Sequence, residues 1–200
     1  MTTAPVGLVL YGPPAVGKST ITDALTALDT RFELFPVIKA GSGRTAGYTM
    51  ASGAGFAERE ASGDFVFSWE RYGSRYAVSA SALVRFTNER IVPVVHLGSV
   101  AAVRAVTAVP PFRWTVVQLW VSREVCAERV RRRGTDDFAD RVAAYDQTAK
   151  LGPDLTHLTL DTDTIGVDQA VRAIRSAVLE PGAHSSRCAG AWPCRSRHRT

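Results

Sequence analysis

Cysteine is scarce: there are three in 200 residues, with Cys126 midway along a helix-like stretch and Cys188 and Cys194 near the end. That number and spacing exclude a disulfide framework. No apolar run approaches the roughly 18–20 residues that span a bilayer, and Met1–Pro5 has none of the features of a secretory leader. A cytoplasmic protein without a membrane partner is the expectation. A basic field is missing too, despite a net charge of +5. From Gly182 onward stand Arg187, Arg195, Arg197, Arg199 and no acid; without them 20 basic residues face 19 acidic ones. The body is thus nearly neutral, which argues against a nucleic-acid partner. The tail, residues 182–200, is rich in Gly, Ser, Arg and Cys without apolar periodicity and is expected to be disordered. Its His184, Cys188, Cys194 and His198 leave metal or nucleic-acid binding as a lesser alternative.

What is present is ordinary globular material: 46% hydrophobic and 22% charged residues, enough for one compact domain with a sizeable core. Short apolar runs alternate with helix-like segments, as a parallel α/β sheet requires. The pattern predicts strands at Val6–Tyr11, Leu34–Ile38, Phe65–Trp69, Ile91–His96, Trp114–Val121 and His157–Leu160. It predicts helices at Lys18–Leu28, Phe56–Ser62, Ser79–Arg90, Val100–Ala108, Arg123–Arg133, Phe138–Lys150 and Val167–Leu179. Gly and Ser cluster in Gly41–Gly55, which reads as a long mobile or ligand-facing loop. One domain over residues 1–181 and no internal repeat is the expected organisation.

Between the first strand and the first helix lies GPPAVGKST: Gly12, Pro13, Pro14, Ala15, Val16, Gly17, Lys18, Ser19 and Thr20. It satisfies the phosphate-loop pattern G-x-x-x-x-G-K-[ST] at every position, in the strand–helix context that the chemistry demands. Glycines let the backbone wrap so that successive N–H groups face phosphate oxygens, and the helix adds its positive end. Lys18 would reach the β and γ phosphates of ATP, and the Ser19 hydroxyl would complete the shell of a Mg²⁺ ion. A guanine-reading switch would need an N-K-x-D element, and the lone asparagine, Asn88, stands in TNER.

A second signal is Arg131-Arg-Arg-Gly-Thr-Asp-Asp137, followed by Asp140-Arg141. Arginines at the end of one helix and the start of the next bracket a glycine hinge. A closing lid over residues 131–141 needs that arrangement, to deliver cations onto transferring phosphate after water has left. The bland alternative is a solvated arginine-rich helix end favoured by the helix dipole.

With these pieces the sequence resembles the guanylate kinase family. Similar to it are GPPAVGKST, the block GDFVFSWERYGSRYAVS (residues 63–79), the RRRGTDD lid and Arg141, so the resemblance runs from about Val6 to Leu179. It implies a three-layer P-loop fold with an inserted acceptor lobe, roughly residues 34–90, and a lid. It also implies ATP and Mg²⁺ as cofactors, Arg44 and Tyr76 on the acceptor phosphate, and Arg133 and Arg141 on the transferring one. The departures concern base reading. Where the family reads guanine this chain has Ala40, Ser68 and Val78, and where it carries acids on the third core strand it has Val94 and His96. The second arginine of the acceptor clamp falls at Gly47. A guanine edge facing Ala and Val would lose hydrogen bonds at about 1–3 kcal/mol each, so ordinary GMP is not the expected acceptor. FSWERYGSRY and His96-Leu-Gly98-Ser99 are instead similar to the ribose 1,5-bisphosphate phosphokinases.

These residues predict a kinase for a phosphorylated ribose or nucleotide-like small molecule. The alternatives are a catalytically silent interaction module and a nucleoside monophosphate kinase with altered base reading. A hydroxyl acceptor would benefit from a general base, for which His96 at a strand's carboxyl end is the candidate; the competing role is a structural histidine. Trp69, Tyr72 and Tyr76 could stack on the acceptor or simply fill the lobe's core. Glu70 and Arg71 are further possible acceptor contacts. Asp161-Thr-Asp163 reads best as a loop capping the final helix. Oligomeric state has no signature here.

Overall fold

The computed structural model describes residues 4–87, 90–134 and 137–180. The tail expected over residues 182–200 lies outside the described residues, as do Asn88 and two residues of the lid. In chain order the elements begin β1 (Val6–Tyr11), α1 (Lys18–Leu28), β2 (Phe32–Leu34), β3 (Val37–Ala40), β4 (Tyr48–Met50), α2 (Gly53–Ala61), β5 (Phe65–Arg71) and β6 (Ser74–Ser79). They continue α3 (Ala80–Arg85), β7 (Val92–Leu97), α4 (Val100–Thr107), β8 (Arg113–Trp120), α5 (Arg123–Arg132), α6 (Phe138–Asp146), β9 (Leu158–Asp161) and α7 (Val167–Leu179).

The run VGLVLY in β1 has no polar side chain before Tyr11, so it is stable only when covered on both faces. It takes the centre of a five-stranded parallel sheet of order β2-β7-β1-β8-β9, with Leu10 between His96 of β7 and Val117 of β8. Alternation sorts the core into two layers. Leu8, Leu10, Val94 and Leu119 meet α1, α5 and α7 through Leu25, Val130 and Ile174. Val9, Val95 and Val116 meet α4 through Val103 and Val106, and a second sheet through Tyr76 and Val78. No helix among the described residues is long and apolar enough to cross a membrane.

The second sheet, of order β4-β3-β6-β5, is mixed: β3 runs parallel to β4 and antiparallel to β6. β5 and β6 form a two-residue hairpin whose turn residues, Tyr72 and Gly73, both have positive φ, 51° and 65°. That geometry suits the twist of an antiparallel pair. Tyrosine is an uncommon occupant of this backbone region, which costs a residue bearing a Cβ about 1–2 kcal/mol.

Several sequence expectations are corrected. The single strand Leu34–Ile38 is two: Phe35 donates its N–H to Val94 O, Pro36 has no N–H to give, and β2 and β3 therefore enter different sheets. The loop Gly41–Gly55 contains β4 and the start of α2. The helix Ser79–Arg90 is the end of β6 followed by the six-residue α3. The helix from Phe138 stops at Asp146, after which Leu151 N–H turns in to Gln118 Oε1 on β8, 2.6 Å away.

Candidate active site

The phosphate loop leaves β1 at the carboxyl edge of the sheet, where α/β sites form. Gly12 has φ 150°, and a Cβ there would lie 2.3 Å from Leu119 O, so the loop's entry admits only glycine. Ala15 and Gly17 also have positive φ, 57° and 100°. Gly17 opens α1, and no side chain caps that end. By contrast Ser52, Ser79, Ser99 and Ser122 cap α2, α3, α4 and α5 through their hydroxyls. The end of α1 is thus left with exposed N–H donors and its positive dipole, the arrangement that binds phosphate. Lys18 folds back over the loop, donating from Nζ to Gly12 O (2.6 Å) and Pro13 O (2.8 Å). Burial, with the like charges of Arg71 and Arg133, pushes its pKa down to about 7.

In front of the loop opens a cleft of about 660 Å³. Loop residues from Pro14 to Ser19 line one side. The second sheet lines the other with Lys39, Arg44, Tyr48, Trp69 and Tyr76. Trp69 and Tyr76 stack with ring centroids 5.6 Å apart at 15°, and Tyr48 tilts against Tyr76 at 5.7 Å. Arg71 belongs to the cleft: it donates to Ala144 O of α6 (3.0 Å) and lies beside Gly98. Glu70 does not; its side chain is 81% exposed. Ser68 also points elsewhere, donating to Glu60 Oε1, and Ala40, Val78 and Val94 are buried apolar positions.

The cleft is also lined by Arg133, Asp137, Asp140 and Arg141, from the end of α5 and the start of α6. Burial and the neighbouring Arg141 and Arg44 lower the pKa of Arg133. Arg141, which burial alone would discourage from carrying charge, is held cationic by Asp137, its Nε 2.7 Å from Oδ1. Its guanidinium also lies 5.1 Å from the Tyr72 ring, so α6 touches the hairpin turn of the second sheet. Among the described residues six cationic side chains and two carboxylates line the cleft, a surplus suited to phosphate.

His96 sits behind Lys18. Its Nε2 lies 2.7 Å from Thr22 Oγ1, and that hydroxyl donates its hydrogen to Lys18 O. The imidazole is therefore the donor to Thr22 and keeps its lone pair on Nδ1. Burial, then Lys18 and Arg44, push its pKa down to about 3, so the ring is neutral at pH 7 but a weak base. Among the described residues no group of three His, Cys, Asp or Glu side chains is placed to hold a metal; Ser19 stands in the cleft without a carboxylate cluster.

A second cavity of about 380 Å³ lies behind the loop, against Val16, Thr20, Ile21, Arg129, Ile165 and Val167. Thr20 thus faces this cavity and is absent from the lining of the main cleft. The Asp161–Asp163 loop borders it through Thr162, whose carbonyl accepts from Arg129 at 2.9 Å. Asp163 holds Ser122 N–H ahead of α5 at 2.8 Å, and α7 begins at Gly166 with no side-chain cap, so this loop does not cap the final helix. Lys39, Tyr48 and the second cavity were missed from sequence. A lysine inside the apolar run VIKA and a tyrosine in a glycine-rich stretch leave no spacing pattern to find.

No family model matches the chain. Over 180 residues it is 28% identical to the ribose 1,5-bisphosphate phosphokinase PhnN of Rhizobium etli, covering 86% of this chain and 90% of that protein. It is 29% identical to a bifunctional ribose 1,5-bisphosphokinase-thymidine phosphorylase of Cupriavidus necator, covering 82% of this chain and 28% of that longer protein. Among solved structures it is similar to guanylate kinase from Anaplasma phagocytophilum, with a TM-score of 0.58 and 12% identity over 88% of this chain and 85% of the other. With its phosphate loop, its cationic cleft and this sequence kinship, the chain has a guanylate kinase-like P-loop fold and is an ATP-dependent phosphotransferase.

Proposed function

We propose that the chain moves the γ-phosphoryl group of ATP onto a phosphorylated ribose, with ribose 1,5-bisphosphate the first candidate, in the cytoplasm where ATP is supplied. On this reading residues 1–181 form one kinase domain, with an acceptor lobe over about 34–90 and a lid over about 131–141. The observation that carries it is one cleft shared by the phosphate loop and by the Arg44, Trp69 and Tyr76 side of the second sheet.

The residues fit the reactants. The glycine-only turn at Gly12 and the uncapped end of α1 form a cradle for a triphosphate. The second cavity, apolar at Ile165 and Val167 and flanked by Arg129, suits the adenine ring. Ser19 would hold Mg²⁺ together with phosphate oxygens and water, a usual way of binding a cation that sheds its hydration reluctantly. Bound there, the ion would neutralise charge between the phosphates. Lys18 and Arg133 would stabilise charge on the transferring group, and Arg141 would complete the set from the lid.

The acceptor atom follows from His96. A base whose conjugate acid has a pKa of about 3 is poorly matched to removing a hydroxyl proton at pH 7. A phosphate oxygen is already anionic and needs only alignment and neutralisation. We therefore assign His96 to positioning Thr22 and the backbone of Lys18, and assign a phosphate oxygen as nucleophile. GMP is disfavoured because Ala40 and Val78 are buried and Ser68 is turned to Glu60. A silent interaction module is disfavoured because the phosphate loop is complete.

A mass-spectrometric screen with ATP·Mg²⁺, ribose phosphates and nucleoside monophosphates tests this. A new phosphoanhydride on a ribose phosphate is expected, with Lys18→Ala lowering turnover at least about 100-fold, the scale of one lost transition-state contact. Turnover of GMP in preference to every ribose phosphate would overturn the acceptor assignment.

A further inference from the structure

Lys39 presents an unmatched charge. Its residue is 3% exposed, and its ammonium donates to the carbonyls of Ser42 and Arg44. It lies 5.6 Å from the Tyr48 ring centroid and 5.8 Å from that of Tyr76. Among the described residues no carboxylate pairs with it. A buried ammonium is costly without an anion, and carbonyls and aromatic faces compensate only in part. Burial accordingly lowers its pKa. The group nonetheless lines the cleft, beside Arg44.

Gly47, on the same loop, sharpens the point. It has φ +84°, and a Cβ there would lie 3.2 Å from Leu34 Cδ2. A long cationic side chain cannot stand at that position without strain, so Arg44 has no arginine partner on its own loop. Lys39, on β3, lines the same cleft as Arg44.

We infer that Lys39 is the second cation of the acceptor site, pairing with Arg44 to grip a phosphate of the acceptor. Tyr48 and Tyr76 wall this subsite. This rests on the phosphorylated-ribose reading above and makes the Lys39 charge a requirement for tight acceptor binding.

Calorimetric titration of ribose 1,5-bisphosphate into the full chain, with ADP·Mg²⁺ present, tests it against Lys39→Gln and Lys39→Arg. Glutamine keeps a donor for the loop carbonyls but not the charge. Affinity is expected to fall about 10- to 100-fold in Lys39→Gln, as for a lost charged hydrogen bond. It should return to within a few-fold in Lys39→Arg, with ATP affinity the same in all three proteins. Undiminished binding to Lys39→Gln would overturn the inference and leave the acceptor reading standing. A loss of ATP affinity matching the loss of bisphosphate affinity would overturn it in favour of a purely structural lysine. Failure of the unaltered chain to bind ribose 1,5-bisphosphate while binding ATP would overturn both readings.

Discussion

Lys18, proposed above to hold a triphosphate, starts from an unusual state, because burial among cations already brings its pKa to about 7. An arriving polyanion raises that pKa again. Between the two values the bound form holds more protons than the free form, so affinity is greatest below about pH 7 and declines as pH rises. At pH 8 ATP·Mg²⁺ binding should take up close to one proton, measurable by calorimetry in two buffers of different ionisation enthalpy. Zero uptake would show the ammonium already fully charged in the empty site. A motif marks Lys18 and Ser19, a glycine hinge marks Arg133 and Arg141, and Arg44 comes from the family resemblance alone; the cleft brings all five together. Lys39 was not, since its meaning comes from a loop folded over it and two rings that lie 9 and 37 residues further along the chain.

Elements were legible where one segment decides its own structure. β1, α1 and α7 match their expected limits because an unbroken apolar run or a regular helical stripe specifies each. β6 escaped because AVSASALVR contains good helix formers, and only pairing with β3 and β5 holds its first residues extended. Ser79 marks the change of state. Its hydroxyl accepts from Ala82 N–H (3.1 Å) and from Arg59 (3.0 Å) and donates to Asp64 (2.9 Å), tying α3, α2 and the start of β5 together. Ser79→Ala removes a helix cap and one hydrogen bond from each charged partner, and should cost about 1–3 kcal/mol, read as a lower urea midpoint at constant slope. The complementary case is α1, whose missing cap is a loss of helix stability accepted at an end that faces the cleft.

At the scale of the whole molecule, charge is concentrated where the chemistry is proposed: a nearly neutral body encloses a cleft with six cations. They come from distant stretches. Lys18 and the Arg133 and Arg141 pair follow strands of the parallel sheet, whose crossovers return each carboxyl end to the same edge, and the second sheet brings Lys39, Arg44 and Arg71. The central position of β1 has a temporal side. Residues 6–11 are made well before both of their neighbours, residues 94–97 and 113–118. Pairings so far apart in the chain close late and slowly. Refolding from urea should therefore restore binding of a fluorescent ATP analogue only in the slowest kinetic phase; return in the first milliseconds would contradict this. During synthesis the nascent amide cradle must wait, without the strands that frame it, until the chain as far as residue 118 has left the ribosome.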